Sequence, residues 1–274
     1  MTDRTPSLTA PPPTLRGLLA LGLLLLIAGC GGTDRAATDD PAPSRSPDSL
    51  YRAAIADARS AEPSDIVTTL TPIVPHNDDL VWKNRRDSTR RVRVVTWTGS
   101  RASSIPAAGD TMTITEDLWV TAVPELRSFC QDLPQTGDRL DRRIAQRLGL
   151  PPDVDYDRFV ELWVRPQDLV RPCPDPEVSD RECELRTPVP ARHASVSDAH
   201  QKWFRDLKRT SYGPDGYPFT GLGYTYDWHP DTDDIGPSEF VLRPDSTAGA
   251  QSPGRAVVHT VQSTDAYCRA GSGR

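Results

Sequence analysis

Proline limits the folds open to this chain more than any other residue. It occupies 27 of 274 positions, about twice the usual share of about 5%. Each proline fixes φ and removes a backbone donor, so long uninterrupted helices and a helical bundle are disfavoured. Many loops between short elements are expected instead. The formal charge is −6, with an isoelectric point near 5.4. A general nucleic-acid binder needs surplus basic surface, so no nucleic-acid partner is expected.

The first thirty residues carry an address. Arg4 and Arg16 precede an uncharged apolar run, Gly17 to Ile27, and the small residues Ala28 and Gly29 lead to Cys30. The run is too short to span a hydrocarbon core about 30 Å thick; it fits a secretory signal. Leu26-Ile27-Ala28-Gly29-Cys30 resembles the lipobox of bacterial lipoprotein precursors. That resemblance implies diacylglycerol transfer to the Cys30 sulfur, cleavage before Cys30 and acylation of the new amino terminus, with several acyl chains anchoring the protein durably in a lipid bilayer. Gly31 follows the cysteine, not Asp, which by the same resemblance favours the outer membrane where the organism has one.

Residues 1–29 are thus expected to be a signal peptide, and residues 30–49 a lipidated cysteine and flexible tether. The tether is rich in Gly, Pro, Ser, Thr and Asp, a composition that buries too little to offset its ordering entropy. A globular domain is expected over 50–268, with a frayed tail at 269–274. Helices are expected over Ser49–Glu62, Arg139–Leu148 and Ser197–Arg209, the second closed by Gly149 and the third capped by Ser197. Asp79–Asn84 and Arg90–Thr98 read as a hairpin around Arg85–Thr89. Thr111–Pro124, Phe159–Arg165, Glu239–Arg243 and Ala256–Ser263 read as further strands. No regular βαβ alternation appears, so the expected class is α+β with a mainly antiparallel sheet.

Four cysteines follow Cys30: Cys130, Cys173, Cys183 and Cys268. An even count in an exported chain reads as disulfides, and four cysteines allow three pairings. Cys173 with Cys183 would close a short polar loop, worth about 3 kcal/mol in the loop-closure account. Cys130 with Cys268 would then tie mid-chain to its end for about 5 kcal/mol. A four-thiolate zinc site is the rival, without the usual paired CxxC spacing.

No catalytic or cofactor signature is present. GxSxG and HExxH are absent. Ser195, Ser197, Asp198 and His200 lie too close along one helix start to converge as a triad. Two acidic runs, Asp153–Asp157 and Asp231–Gly236, fail the EF-hand pattern, and no metal is expected. Arg85, Arg86, Arg90, Arg91 and Arg93 form the strongest basic cluster, suited to a phosphate, an acidic partner or a charge-protected sheet edge. The glycine-punctuated segment from Tyr212 to Pro230 places Tyr224, Tyr226, Trp228 and His229 together, rimmed by Asp227, Asp231, Asp233 and Asp234. Such rings suit a sugar face or a protein partner, and the aspartates a cationic group or, failing that, calcium. Alternating Tyr224, Tyr226 and Trp228 would equally suit a strand packed on the core.

The segments WVTAVPELRSFC, ELWVRPQDLVRPCPDPEVSDRECEL, HQKWFRDLKRTSYG, YPFTGLGYTYDWHP and SEFVLR resemble an uncharacterised family of exported bacterial proteins, over roughly Trp119 to Cys268. The resemblance implies one domain and transfers no activity. The expected function is that of a structural or binding module of the cell envelope, with an envelope protein or glycan as partner. A cell-envelope hydrolase acting on glycans, using acids and His229 near the aromatic segment, is the alternative.

Overall fold

The structure is a computed structural model, described for residues 45–99, 104–188, 196–213, 215–244 and 254–269. The expected signal peptide, Cys30 and residues 30–44 of the expected tether lie outside the described residues. Nine antiparallel strands and five α-helices are described, an α+β arrangement. None of these helices is long and apolar enough to cross a membrane.

Helix α1 (Pro47–Ala58) begins before Ser49, because Ser46 is the cap. Its side chain accepts from the Ser49 amide, and Pro47 stands at the first helical position, where its missing N–H costs nothing. It ends short of Glu62 as Pro63 biases the preceding residue away from helix. The expected hairpin forms between β1 (Trp82–Lys83) and β2 (Arg91–Gly99), with Trp82 opposite Val92. Its first strand is shorter than expected at both ends, since residues 78–80 form a turn and bend before it and Asn84 takes φ 51° after it.

Thr111–Pro124 divides into β3 (Thr111–Ile114) and β4 (Leu118–Ala122), which do not pair with each other. Helices α2 (Glu125–Gln131) and α3 (Asp138–Arg147) follow, then β5 (Tyr156–Val164), β6 (Leu169–Val170) and α4 (Asp198–Ser211). The Ser197 hydroxyl accepts from the His200 amide at the start of α4, at 3.2 Å. Strands β7 (Tyr224–Tyr226), β8 (Ile235–Leu242) and β9 (Gly254–Ser263) lead to α5 (Thr264–Arg269). Arg269, expected in the frayed tail, closes α5 and pairs with Asp265. Gly149 ends α3 at φ 65°, as its place after the helix requires.

The main path of the sheet runs β3-β9-β5-β2-β4-β8-β6, with β1 on β2 and β7 on β8. Strands β3 and β4 are four places apart in that order, yet only residues 115–117 join them. So short a link reaches about 14 Å at full extension, so the sheet must curl to bring β3 back towards β4. The inner face carries Val92, Val94, Val120, Val160, Leu162, Phe240, Leu242 and Val258, all buried. The opposite face carries Val95, Trp97 and Phe159 beneath α2, α3 and α5, against Leu126, Leu140, Ile144 and Tyr267. The alternation of β2 thus serves two apolar layers.

Candidate functional site

Strands β2 and β4 pair over one short stretch, Val94 with Ala122 and Val95 with Thr121. Beyond it they part. Thr96–Gly99 of β2 and Leu118–Val120 of β4 then line a cavity of about 1260 Å³, joined by β3, Tyr156, Phe219, Thr225 and Tyr226. This exceeds the usual span of ligand pockets, which run to about 1,000 Å³ and are mostly apolar with a few polar groups.

The polar groups come from the strand register. Thr121 faces Glu239 across the β4–β8 ladder and Val95 across the β2–β4 ladder. Directly opposed residues share a face, so Val95, Thr121 and Glu239 form one row across three strands, and all three line the cavity. Glu239 is 7% exposed and Thr121 4%. The Thr121 Oγ1 has no hydrogen-bond partner among the described residues. Burial alone pushes the Glu239 carboxyl up from 4.5 to about 8, with no neighbouring charge or hydrogen bond opposing it. At neutral pH it is therefore mainly a protonated acid in an aromatic-walled cavity.

Glu125 stands outside that cavity. It is raised by burial, partly offset by Arg147, the Ser238 amide and the Thr71 hydroxyl, whose Oγ1 lies 3.3 Å from Glu125 Oε2. The acids Glu116, Asp117 and Asp215 also line the cavity, on the β3–β4 connection and after α4. The Asp117 carboxylate accepts from Trp203 Nε1 at 2.6 Å and from Arg243 Nε at 3.4 Å.

The expected aromatic surface is corrected by burial. Tyr224, Tyr226 and Trp228 are 5%, 9% and 3% exposed. Trp228 donates to the Leu150 carbonyl at 2.9 Å and meets the edge of Tyr51 at 5.7 Å. Tyr226 donates to Asp57 and Tyr224 to the Asp65 carbonyl, which turns both hydroxyls towards the amino-terminal segment. These rings join α1 and the following loop to the sheet; they do not present an outer platform. His229 is half-buried.

The expected acidic rim divides. Asp231, Asp233 and Asp234 are exposed, whereas Asp227 is fully buried. It accepts from both terminal nitrogens of Arg143, at 2.9 and 2.8 Å, and from Arg147 at 3.3 Å. Both guanidiniums lie over the Phe129 ring. Asp227 is thus a tie between α3 and the segment after β7, already neutralised and closed to a cation.

The basic cluster also disperses. Arg85 donates to the Pro75 carbonyl and pairs with Asp78 at 2.7 Å. Arg93 leaves the turn and, with Arg127, holds the buried Glu161 carboxylate, at 3.3 and 2.8 Å. The cysteines stand in the expected pairs, Cys130–Cys268 with Cα atoms 5.2 Å apart and Cys173–Cys183 with 6.3 Å. Among the described residues no group of three His, Cys, Asp or Glu side chains is placed to hold a metal ion.

Comparison with known protein families, with curated proteins and with solved structures finds no match. No residue role comes from a relative, and the chemistry rests on the side chains themselves. Sequence reading named Glu239 only as the start of a strand. The available signal was one acid leading the apolar run Phe240-Val241-Leu242. Its partner Thr121 becomes visible only when β4 is known to lie beside β8.

Proposed function

We propose that this protein is an exported, lipid-anchored binding module of the bacterial cell envelope whose ligand enters the cavity between β2, β3 and β4. One observation carries the binding half: an aromatic-lined cavity of about 1260 Å³ is lined by the Thr121 hydroxyl, which has no hydrogen-bond partner among the described residues, and by the buried Glu239 carboxyl, on which no neighbouring charge among them acts. Burying a polar group without a hydrogen bond costs about 1–3 kcal/mol, and a ligand that bonds to these groups recovers that cost. The anchoring half rests on Leu26 to Cys30 and on the two cysteine pairs, which suit an oxidising compartment. The outer membrane is the proposed destination where the organism has one, on the residue after Cys30.

A glycan hydrolase is the second reading, favoured by one feature. A carboxyl held neutral by an apolar pocket is how a general acid is prepared. Glycoside hydrolysis also needs a second carboxylate about 5–9.5 Å away. Asp117 lies just before β4, four residues from Thr121 and about 13 Å along an extended chain, and is engaged by Trp203 and Arg243. Binding is therefore the better-supported reading.

Titration with the neutral probe N-phenyl-1-naphthylamine, followed by its emission, tests the cavity. Saturable one-site binding is expected, and Thr121→Phe, which fills the space beside Glu239, should abolish it while leaving the circular dichroism spectrum unchanged. No saturable binding, or binding untouched in a folded Thr121→Phe protein, would overturn the proposal.

A further inference from the structure

The charges lining the cavity are of one sign. Glu116, Asp117, Asp215 and Glu239 line it, and no Lys, Arg or His among the described residues does. Arg243, the cation nearest to these acids by contact, is engaged with Asp117 and lies over the Trp203 ring at 4.4 Å. Among the described residues that line the wall, an anionic ligand would meet like charges, with Arg243 already engaged by Asp117.

Glu239 is set apart even among these acids. Among the described residues no cation bears on its carboxyl. Strand β4 places Thr121 opposite it, and β7, α2 and the end of α3 contribute Thr225, Tyr226, Leu126 and Leu148 to Leu150 to the lining of the same cavity. Glu125 is turned to Thr71 and the Ser238 amide. The Arg147 guanidinium is spent on Asp227 and the Ile235 carbonyl, and that of Arg143 on Asp227. A buried carboxyl usually has a partner; here the partner's place is open cavity.

The walls fit a particular kind of cation. Trp97, Trp119, Tyr156, Phe219 and Tyr226 surround the space, and aromatic faces attract ammonium groups, most strongly when desolvated. A divalent metal ion fits poorly, since it requires several oxygen ligands and one carboxylate with one hydroxyl supplies too few. An ammonium group needs only a counter-ion, an acceptor and rings.

We infer that the cavity takes an organic ammonium cation, with the Glu239 carboxylate as its counter-ion, Thr121 Oγ1 as a further acceptor, and the Trp97 and Trp119 rings as walls; the inference deepens the cavity-binding reading and rests on it. Binding removes the proton from the Glu239 carboxyl and delivers it to bulk water, so the site stays neutral overall. The ammonium group keeps all of its own protons. An exposed carboxylate would attract any cation weakly. Glu239 attracts only a cation whose apolar remainder justifies entry into the cavity, and this gives the site its selectivity.

Three probes of one shape test it: 2-naphthylmethylammonium, 2-naphthalenemethanol and 2-naphthoate, each titrated into the full chain at pH 7 and followed by calorimetry. The ammonium probe should bind about tenfold or more tightly than the alcohol, and naphthoate most weakly. Glu239→Gln, close in shape, should erase the ammonium preference and leave alcohol binding unchanged. Repeating the ammonium titration in buffers of different ionisation enthalpy should show proton release that the variant lacks. Equal binding of ammonium and alcohol, or a preference that survives Glu239→Gln, overturns the cation inference while the cavity reading stands. Failure of all three probes where N-phenyl-1-naphthylamine binds has the same meaning. Failure of all four probes removes the cavity reading itself.

Discussion

Thr121 and Glu239 are directly opposed on β4 and β8, share one face of the sheet, and bring to a cavity wall a hydroxyl without a partner and a carboxyl without a counter-charge among the described residues. The buried Glu161 carboxylate of the same sheet is held by Arg93 and Arg127, whereas this pair places two hydrogen-bonding groups at a cavity wall. The cost is accepted in the folded state, and its size can be read from pH.

Glu239 binds a proton more tightly when folded than when unfolded, about 8 against 4.5. The folded protein therefore holds more protons between those values, and stability falls as pH rises through that window. Glu239→Gln removes the titration. Its stability should match the wild type near pH 4.5 and exceed it by pH 9, by an amount on the order of 3–5 kcal/mol as an upper limit, read as a higher melting temperature. Thermal unfolding of both proteins across pH 4.5–9 measures this. Parallel curves would mean that Glu239 is hydrated.

Trp228 is a core residue, 3% exposed, with its indole N–H on the Leu150 carbonyl and its ring against Tyr51. Trp228→Ala should destabilise by about 3–5 kcal/mol. Urea unfolding should show a lower midpoint with the slope retained. A change below about 0.5 kcal/mol, typical of surface positions, would restore the exposed-ring reading.

Removing Asp227 strands two guanidiniums in a largely buried place. Asp227→Ala should cost about 3–5 kcal/mol, the usual penalty for breaking a buried ion pair. Asp231→Ala, at an exposed position four residues on, should change stability by less than about 0.5 kcal/mol. Chemical denaturation of the two variants side by side checks the contrast.

The lipid anchor has its own variant. Cys30→Ala should leave the protein unlipidated and move it from the detergent phase to the aqueous phase on partitioning, whereas the wild type stays with detergent. Aqueous partitioning of both proteins would contradict lipidation.

Much of the fold was legible locally. The Leu140–Ile144–Leu148 stripe with Gly149 located α3, Ser197 located the start of α4, and Val-rich runs located β2, β5 and β9. Helices α2 and α5 were not foreseen. They have seven and six residues, too few for a hydrophobic period to show or for an isolated helix to hold. The Cys130–Cys268 link joins them on one face of the sheet, so tertiary contacts supply what their sequences lack. The same limit hid the site. Trp228 and Tyr226 were conspicuous as residue types, but burial is a property of the whole sheet. Glu239 was inconspicuous, and its chemistry depends on Thr121, Trp119 and Leu126 being brought around it by pairings far apart in sequence.

A carbon-13 NMR titration of the Glu239 side-chain carboxyl, assigned by its loss in Glu239→Gln, is the most direct test of the neutral acid at the cavity wall. The expected midpoint lies near 8, and saturating 2-naphthylmethylammonium should move it down as the carboxylate gains its counter-ion. A midpoint at the ordinary 4.5, unmoved by that probe, would contradict both the buried neutral carboxyl and its role as a cation site.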